Sequence, residues 1–133
     1  MELRFEPIAD KCGLIVDSLM ASPDMPEDEA LQFKIRLCIE EVVENIVSYA
    51  YSKGNGWIIA KTERNGDSVT ISLRDAGIPF DPLAKPDPDI TLPAEAREIG
   101  GLGIFLCKQM MDSVRYEYTD GRNVFTMEES IKY

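Results

Sequence analysis

The spacing of apolar residues changes several times along the chain, and each change marks an element. Leu3 and Phe5 alternate with Glu2, Arg4 and Glu6, which predicts a short strand. Ile8 to Met20 then carries apolar residues at helical spacing until Ser22-Pro23-Asp24-Met25-Pro26 interrupts it. Asp24 followed by Glu27 fits a capping pair, and Pro26 stands in a first turn, so a long helix is expected from about Pro26 to Tyr51. At about 100° per residue, Ile35, Cys38, Ile39, Val42, Val43, Ile46, Tyr49 and Ala50 share one broad side of that helix that is expected to face the core.

Gly54-Asn55-Gly56 ends the helix. Trp57 to Glu63 and Ser68 to Arg74 read as strands joined at Arg64-Asn65-Gly66-Asp67, a hairpin whose Asn-Gly step suits a tight turn. From Ala76 to Ile99 the period is lost, and Pro79, Pro82, Pro86, Pro88 and Pro93 fall there, as in a functional loop or a disordered segment. Gly103 to Asp112 returns to a helical pattern. Val114 to Tyr118 and Arg122 to Glu128 then read as strands around Asp120-Gly121. The order β-α-α-β-β-loop-α-β-β predicts an α/β fold, with a largely antiparallel sheet and helices on one face. At 133 residues without repeats, one domain over 1–133 is expected.

Charge and composition narrow the partners. Twenty-four acidic against 14 basic residues leave a formal charge of −10, which disfavours direct binding of nucleic acid or an anionic membrane. An anionic ligand here needs local backbone N–H groups and a cation. The N-terminus shows no basic stretch followed by an apolar one, and no apolar run reaches membrane-span length, so a cytoplasmic protein is expected. Cys12, Cys38 and Cys107 are far apart, odd in number and in apolar surroundings, which suggests buried free thiols. The chain has no histidine, so a Ser-His or Cys-His nucleophile is excluded and any base is a carboxylate, a lysine or water.

Three places carry candidate chemistry. On the long helix, Glu41 and Asn45 stack one turn apart on a polar stripe with Ser48 and Ser52; such a pair can accept a proton and ligate a hard cation, although spacing alone favours a solvated helix edge. In the second hairpin strand, Val69, Ile71 and Leu73 alternate with Thr70, Ser72 and Arg74, and the same period carries Asp75 to the apolar side. A carboxylate there demands donors such as an exocyclic amine, unless the strand stops at Arg74 and Asp75 caps the turn. Gly77 lets backbone approach a flat ring. Gly100-Gly101-Leu102-Gly103 leads into the last helix, either as an anion cradle at a helix N-terminus or as a hinge.

Taken in order, Glu41-Val42-Val43-Glu44-Asn45, Asp75-Ala76-Gly77-Ile78-Pro79-Phe80-Asp81-Pro82 and Gly100-Gly101-Leu102-Gly103-Ile104-Phe105-Leu106 resemble the N, G1 and G2 boxes of the GHKL (histidine-kinase-like) ATPases. More narrowly they resemble the anti-sigma factor serine/threonine kinases, over roughly Phe33 to Glu128. The resemblance implies a Bergerat-type two-layer α/β sandwich with a mixed, mostly antiparallel sheet and an ATP lid at approximately 76–100. It also implies ATP/ADP and Mg²⁺ as cofactors, and transfer of a phosphoryl group to an anti-anti-sigma (STAS-type) protein in competition with a sigma factor.

By the same resemblance Glu41 is the general base, Asn45 the magnesium ligand, Asp75 the adenine-binding carboxylate with Gly77 beside it, and Gly101 and Gly103 the phosphate-facing glycines. Ser48, Pro79, Phe80, Gly100, Leu102 and Ile104 complete the expected nucleotide site. Thr126 matches a threonine on the adenine side, and Arg97 or Lys85 is the candidate lid contact to the γ-phosphate. Departures from the family pattern are Ile46 for a common alanine, Tyr49 for a frequent histidine and Pro79 for a third glycine. Many relatives are homodimers, and the strand at Leu3 to Phe5 is a candidate edge for pairing between protomers. Two other readings stay open: a nucleotide-gated binding module without transfer, and a histidine-kinase-like catalytic domain acting in trans.

Overall fold

The computed structural model describes residues 1–51, 56–84 and 102–131. Strand β1 (Glu2–Phe5) is followed by helices α1 (Cys12–Met20) and α2 (Glu29–Asn45), the latter continued by a π-helical turn, Ile46–Ala50. The hairpin β2 (Ile58–Asn65) and β3 (Ser68–Asp75) comes next, then α3 (Leu102–Met110) and a second hairpin, β4 (Ser113–Thr119) and β5 (Arg122–Ser130). The five strands form one sheet in the order β1-β2-β3-β5-β4, and every pairing is antiparallel. The sheet is therefore not mixed. Both hairpins turn in two residues and need the left-handed backbone that glycine supplies, at Gly66 in the first and at Asp120 and Gly121 in the second.

Alternation along the strands builds the core. Val69, Ile71 and Leu73 of β3 and Phe125 and Met127 of β5 point to one face, where they meet Ile15 and Leu19 of α1 and Ile35, Ile39 and Val43 of α2. The helical layer covers that face alone, giving the two-layer α/β sandwich. At the far end of β5 the same face carries Glu129, which is 2% exposed and ion-paired with Lys34 of α2. Cys38 and Cys107 are buried free thiols and Cys12 is half-buried.

The start of α2 differs from expectation. Asp28, in extended backbone, is the N-cap and accepts from Leu31 N at 2.9 Å. Asp24 instead receives the Thr62 hydroxyl at 2.8 Å and the Ser22 hydroxyl at 3.2 Å, tying the loop before α2 to β2. No helix among the described residues is long and apolar enough to cross a membrane.

Candidate functional site

Asp75 ends β3 on the core side, as the alternation requires, and is 2% exposed. Its Oδ1 accepts from the Gly77 N–H at 2.8 Å and from Asn123 Nδ2 at 2.9 Å. Burial pushes its pKa above the usual carboxylate range, and the two hydrogen bonds pull against that shift. Its other oxygen has no hydrogen-bond partner among the described residues. Asp75 faces a narrow cavity whose walls include Val42 and Ile46 of the helical layer and Leu73 and Phe125 of the sheet. A buried carboxylate with one engaged oxygen in an apolar slot is built to receive a donor from a flat apolar ligand.

Asn123 holds this end together. It lies opposite Asp75 in the β3–β5 ladder, and its Nδ2 donates to the Ile78 carbonyl at 2.9 Å as well as to Asp75. Its Oδ1 accepts from the Phe80 N–H at 3.1 Å and from the Tyr116 hydroxyl. One amide thus joins β3, β4, β5 and the loop after β3. That loop is also fixed to the helical layer: Ile78 N donates to the Ala50 carbonyl at 3.0 Å, where the π-helical turn ends. A Cβ on Gly77 would stand 2.1 Å from that same carbonyl oxygen, so only glycine allows the approach.

The second pocket, about 390 Å³, opens at the other side of Asn45. Glu41, Ser48 and Gly103 line it, Glu44 adds a further carboxylate, and the exposed side chains of Leu106 and Tyr49 flank it. The helical period puts Tyr49 on the core face, but the π-helical turn buries only Ile46 and Ala50 and leaves it outside. Burial first, and then the neighbouring Glu44 and Glu40, raise the Glu41 pKa, which makes it a stronger base than a surface glutamate. A Cβ on Gly103 would lie 1.9 Å from Glu41 Oε2, so glycine is what brings the first turn of α3 against this carboxylate. Behind it, the Cys107 thiol donates to the Cys38 carbonyl at 3.7 Å and Ile104 is buried, seating α3 on α2. Asn45 lines both pockets, so the two lie next to one another on either side of this residue.

Glu41, Asn45, Ser48 and Gly103 are thus brought together, and Asp75, Gly77 and Phe80 meet at the other end. Ile104 supports from the core, and Leu102 opens α3. Pro79 is exposed and lines neither pocket. Thr126 requires a correction: it pairs with Ser72 and Arg115 on the sheet face turned away from the helices, because the alternation that carries Phe125 inward carries Thr126 outward. Ser52, Lys85, Arg97, Gly100 and Gly101, with most of the expected lid, lie outside the described residues. Asn123 and Tyr116 are site residues that motif spacing missed. Alternation alone pointed to Asn123, since it shares the inward face with Phe125 and Met127.

Residues 11–128 match the family described as the histidine kinase-like ATPase domain, and the chain belongs to that family. The GHKL resemblance of the three boxes therefore holds. The serine/threonine-protein kinase BtrW of Bordetella bronchiseptica is 31% identical over 98 residues, covering 73% of this chain and 69% of the relative. The serine-protein kinases RsbW of Listeria monocytogenes and Bacillus cereus are 28% and 31% identical, each over 68% of this chain. The match spans less than two thirds of these two relatives, 60% and 59% of their lengths. Among solved structures, the nucleotide-free catalytic domain of the histidine kinase ThkA superposes with a TM-score of 0.61 at 17% identity, covering 98% of this chain and 95% of that one, a likeness of fold.

Proposed function

We propose that the chain is an ATP-dependent serine/threonine protein kinase of the anti-sigma type. It transfers the γ-phosphoryl group to a hydroxyl of an anti-anti-sigma (STAS-type) protein and so sets the availability of a sigma factor. The observation that carries this reading is the pair of neighbouring pockets, one holding Asp75 and the other Glu41, that share Asn45 as a wall. An apolar pocket with a buried carboxylate beside a polar pocket with a basic carboxylate suits a ligand with a flat base at one end and a reactive anion at the other.

In this reading Asp75 accepts the exocyclic amine of adenine on its free oxygen, and Gly77 lets the loop lie along the ring. The phosphates reach the pocket of Glu41, Asn45 and Ser48, near the N-terminal turn of α3. Asn45 would supply magnesium with a hard oxygen donor there, leaving Glu41 free to act as the base. Magnesium characteristically takes one or two protein oxygens and completes its shell with phosphate and water. When bound, it would offset triphosphate charge in a protein of charge −10. Glu41 takes the proton of the incoming hydroxyl as the acceptor O–P bond forms and the bond to the departing ADP breaks.

The deciding experiment incubates the chain with γ-labelled ATP and candidate STAS-type partners, followed by phosphoamino-acid analysis. Label on serine or threonine is the expected result. Label on histidine, or nucleotide binding with no transfer to any partner, would overturn the kinase assignment.

A further inference from the structure

The sheet has a second face that no helix covers among the described residues. On it, the strand registers set Arg4, Ile59, Arg74, Val124 and Glu117 side by side in one row across β1, β2, β3, β5 and β4. Beside this row lies the chain's single tryptophan, Trp57. The guanidinium of Arg4 sits 4.8 Å from its ring centroid and that of Arg122 sits 5.4 Å away. Arg4 also holds Glu6 at 2.8 Å. Arg74 and Arg122 have no carboxylate partner among the described residues.

We propose that this end of the open sheet face, floored by Trp57, Ile59 and Val124 and bounded by Arg4, Arg74 and Arg122, docks an acidic segment of a protein partner. A guanidinium held over an indole is positioned without losing its N–H donors, and such a fork can pair with a carboxylate two bonds at a time. Adjacent strands are about 4.8 Å apart, so Arg4 and Arg74 are separated by about 10 Å, the reach of three residues of extended chain. The apolar floor between them gives such a segment side-chain contact as well as charge.

Two other occupants fit less well. A nucleic acid would run past a patch this small onto a body whose net charge is −10. A second copy meeting arginine end to arginine end would set guanidinium against guanidinium; turned so that Glu117 of each row faces Arg4 of the other it would compete with the acidic segment, and sedimentation distinguishes the two. The proposal is independent of the ATP-site reading, because neither pocket contributes a residue to it.

The lone tryptophan makes the test direct. The intact chain is titrated with a ten-residue poly-glutamate peptide while Trp57 emission is followed. A saturable change is expected, weakening about tenfold between about 50 and about 200 mM salt. Arg74→Gln should weaken binding about five- to tenfold, and Arg122→Lys, which keeps the charge but loses the planar fork, about threefold. Arg122→Gln, at an exposed site, guards against a folding effect of the Arg74 change. The absence of a saturable change, wild-type affinity in both glutamine variants, or an equal response to a ten-residue thymidine oligonucleotide would each overturn the proposal. So would self-association, seen by sedimentation, that the peptide fails to disperse.

Discussion

The two ends of the site are built in opposite ways. Around Asp75, one carboxylate oxygen, both functional atoms of the Asn123 amide and the loop N–H groups of Gly77, Ile78 and Phe80 are already engaged, and one oxygen stays open. Around Glu41, the side chains of Glu41, Asn45 and Ser48 make no hydrogen bonds with other described residues. The first end is a rigid recogniser whose ordering is complete before any ligand arrives, which limits the entropy lost on binding. The second is an open pocket of raised basicity that gains its partners only with the reactants. On the proposed function, recognition is thus separated from reaction, and mutations at the two ends should separate them too.

The largest contrast is expected from Glu41→Ala. Phosphoryl transfer should fall by about 10²- to 10⁴-fold, the usual worth of a general base, while nucleotide affinity by calorimetry stays within about threefold. Equal losses in both would erase the distinction between the ends.

Asp75→Asn comes next. Nucleotide affinity should drop about 10- to 100-fold, because an amide nitrogen would meet the adenine amine donor to donor. The nucleotide-free melting temperature should not fall, since the amide oxygen keeps both existing donors and no charge is buried. The pH dependence sharpens this. The folded pKa of Asp75 is raised, so its contribution to folding is favourable below the unfolded value and lost as pH rises through the folded one. Nucleotide affinity has the opposite sense: it declines as pH falls through the raised pKa, above the ordinary aspartate range, and should be flat in the Asn variant. A wild-type affinity independent of pH across that range would contradict the role of the free oxygen.

The smallest effect serves as the control. Asp28→Ala removes the N-cap of α2 and should cost about 1 kcal/mol of stability in denaturant titrations, with affinity and transfer unchanged. Altered transfer in that variant would mean that the site depends on the far end of α2.

Much of this arrangement was legible from periodicity. The alternation of Val69, Ile71 and Leu73 placed Asp75 inward, and the turn of α2 put Glu41 under Asn45. The same period, carried along β5, points Asn123 inward and Thr126 outward. Matching Thr126 to a family position overrode that period, and the period was the better guide. The cap at Asp28 was obscured by Asp24, a residue of the right type whose hydroxyl partner, Thr62, is remote in sequence. The π-helical turn was beyond reach, because a widening from i→i+4 to i→i+5 hydrogen bonding over five residues leaves too little trace in the apolar spacing.

The inward row of β5 begins with Asn123, tied to Asp75, and finishes with Glu129, tied to Lys34, with Phe125 and Met127 between. A hydrophobic row is blind to a slip of two residues, since the same face still points inward. Polar groups at both ends remove that freedom: any such slip strands a buried amide and a buried carboxylate at once, at several kcal/mol. The strand is pinned like a ruler fixed at both ends, and the folding chain has a single alignment in which neither pin is orphaned.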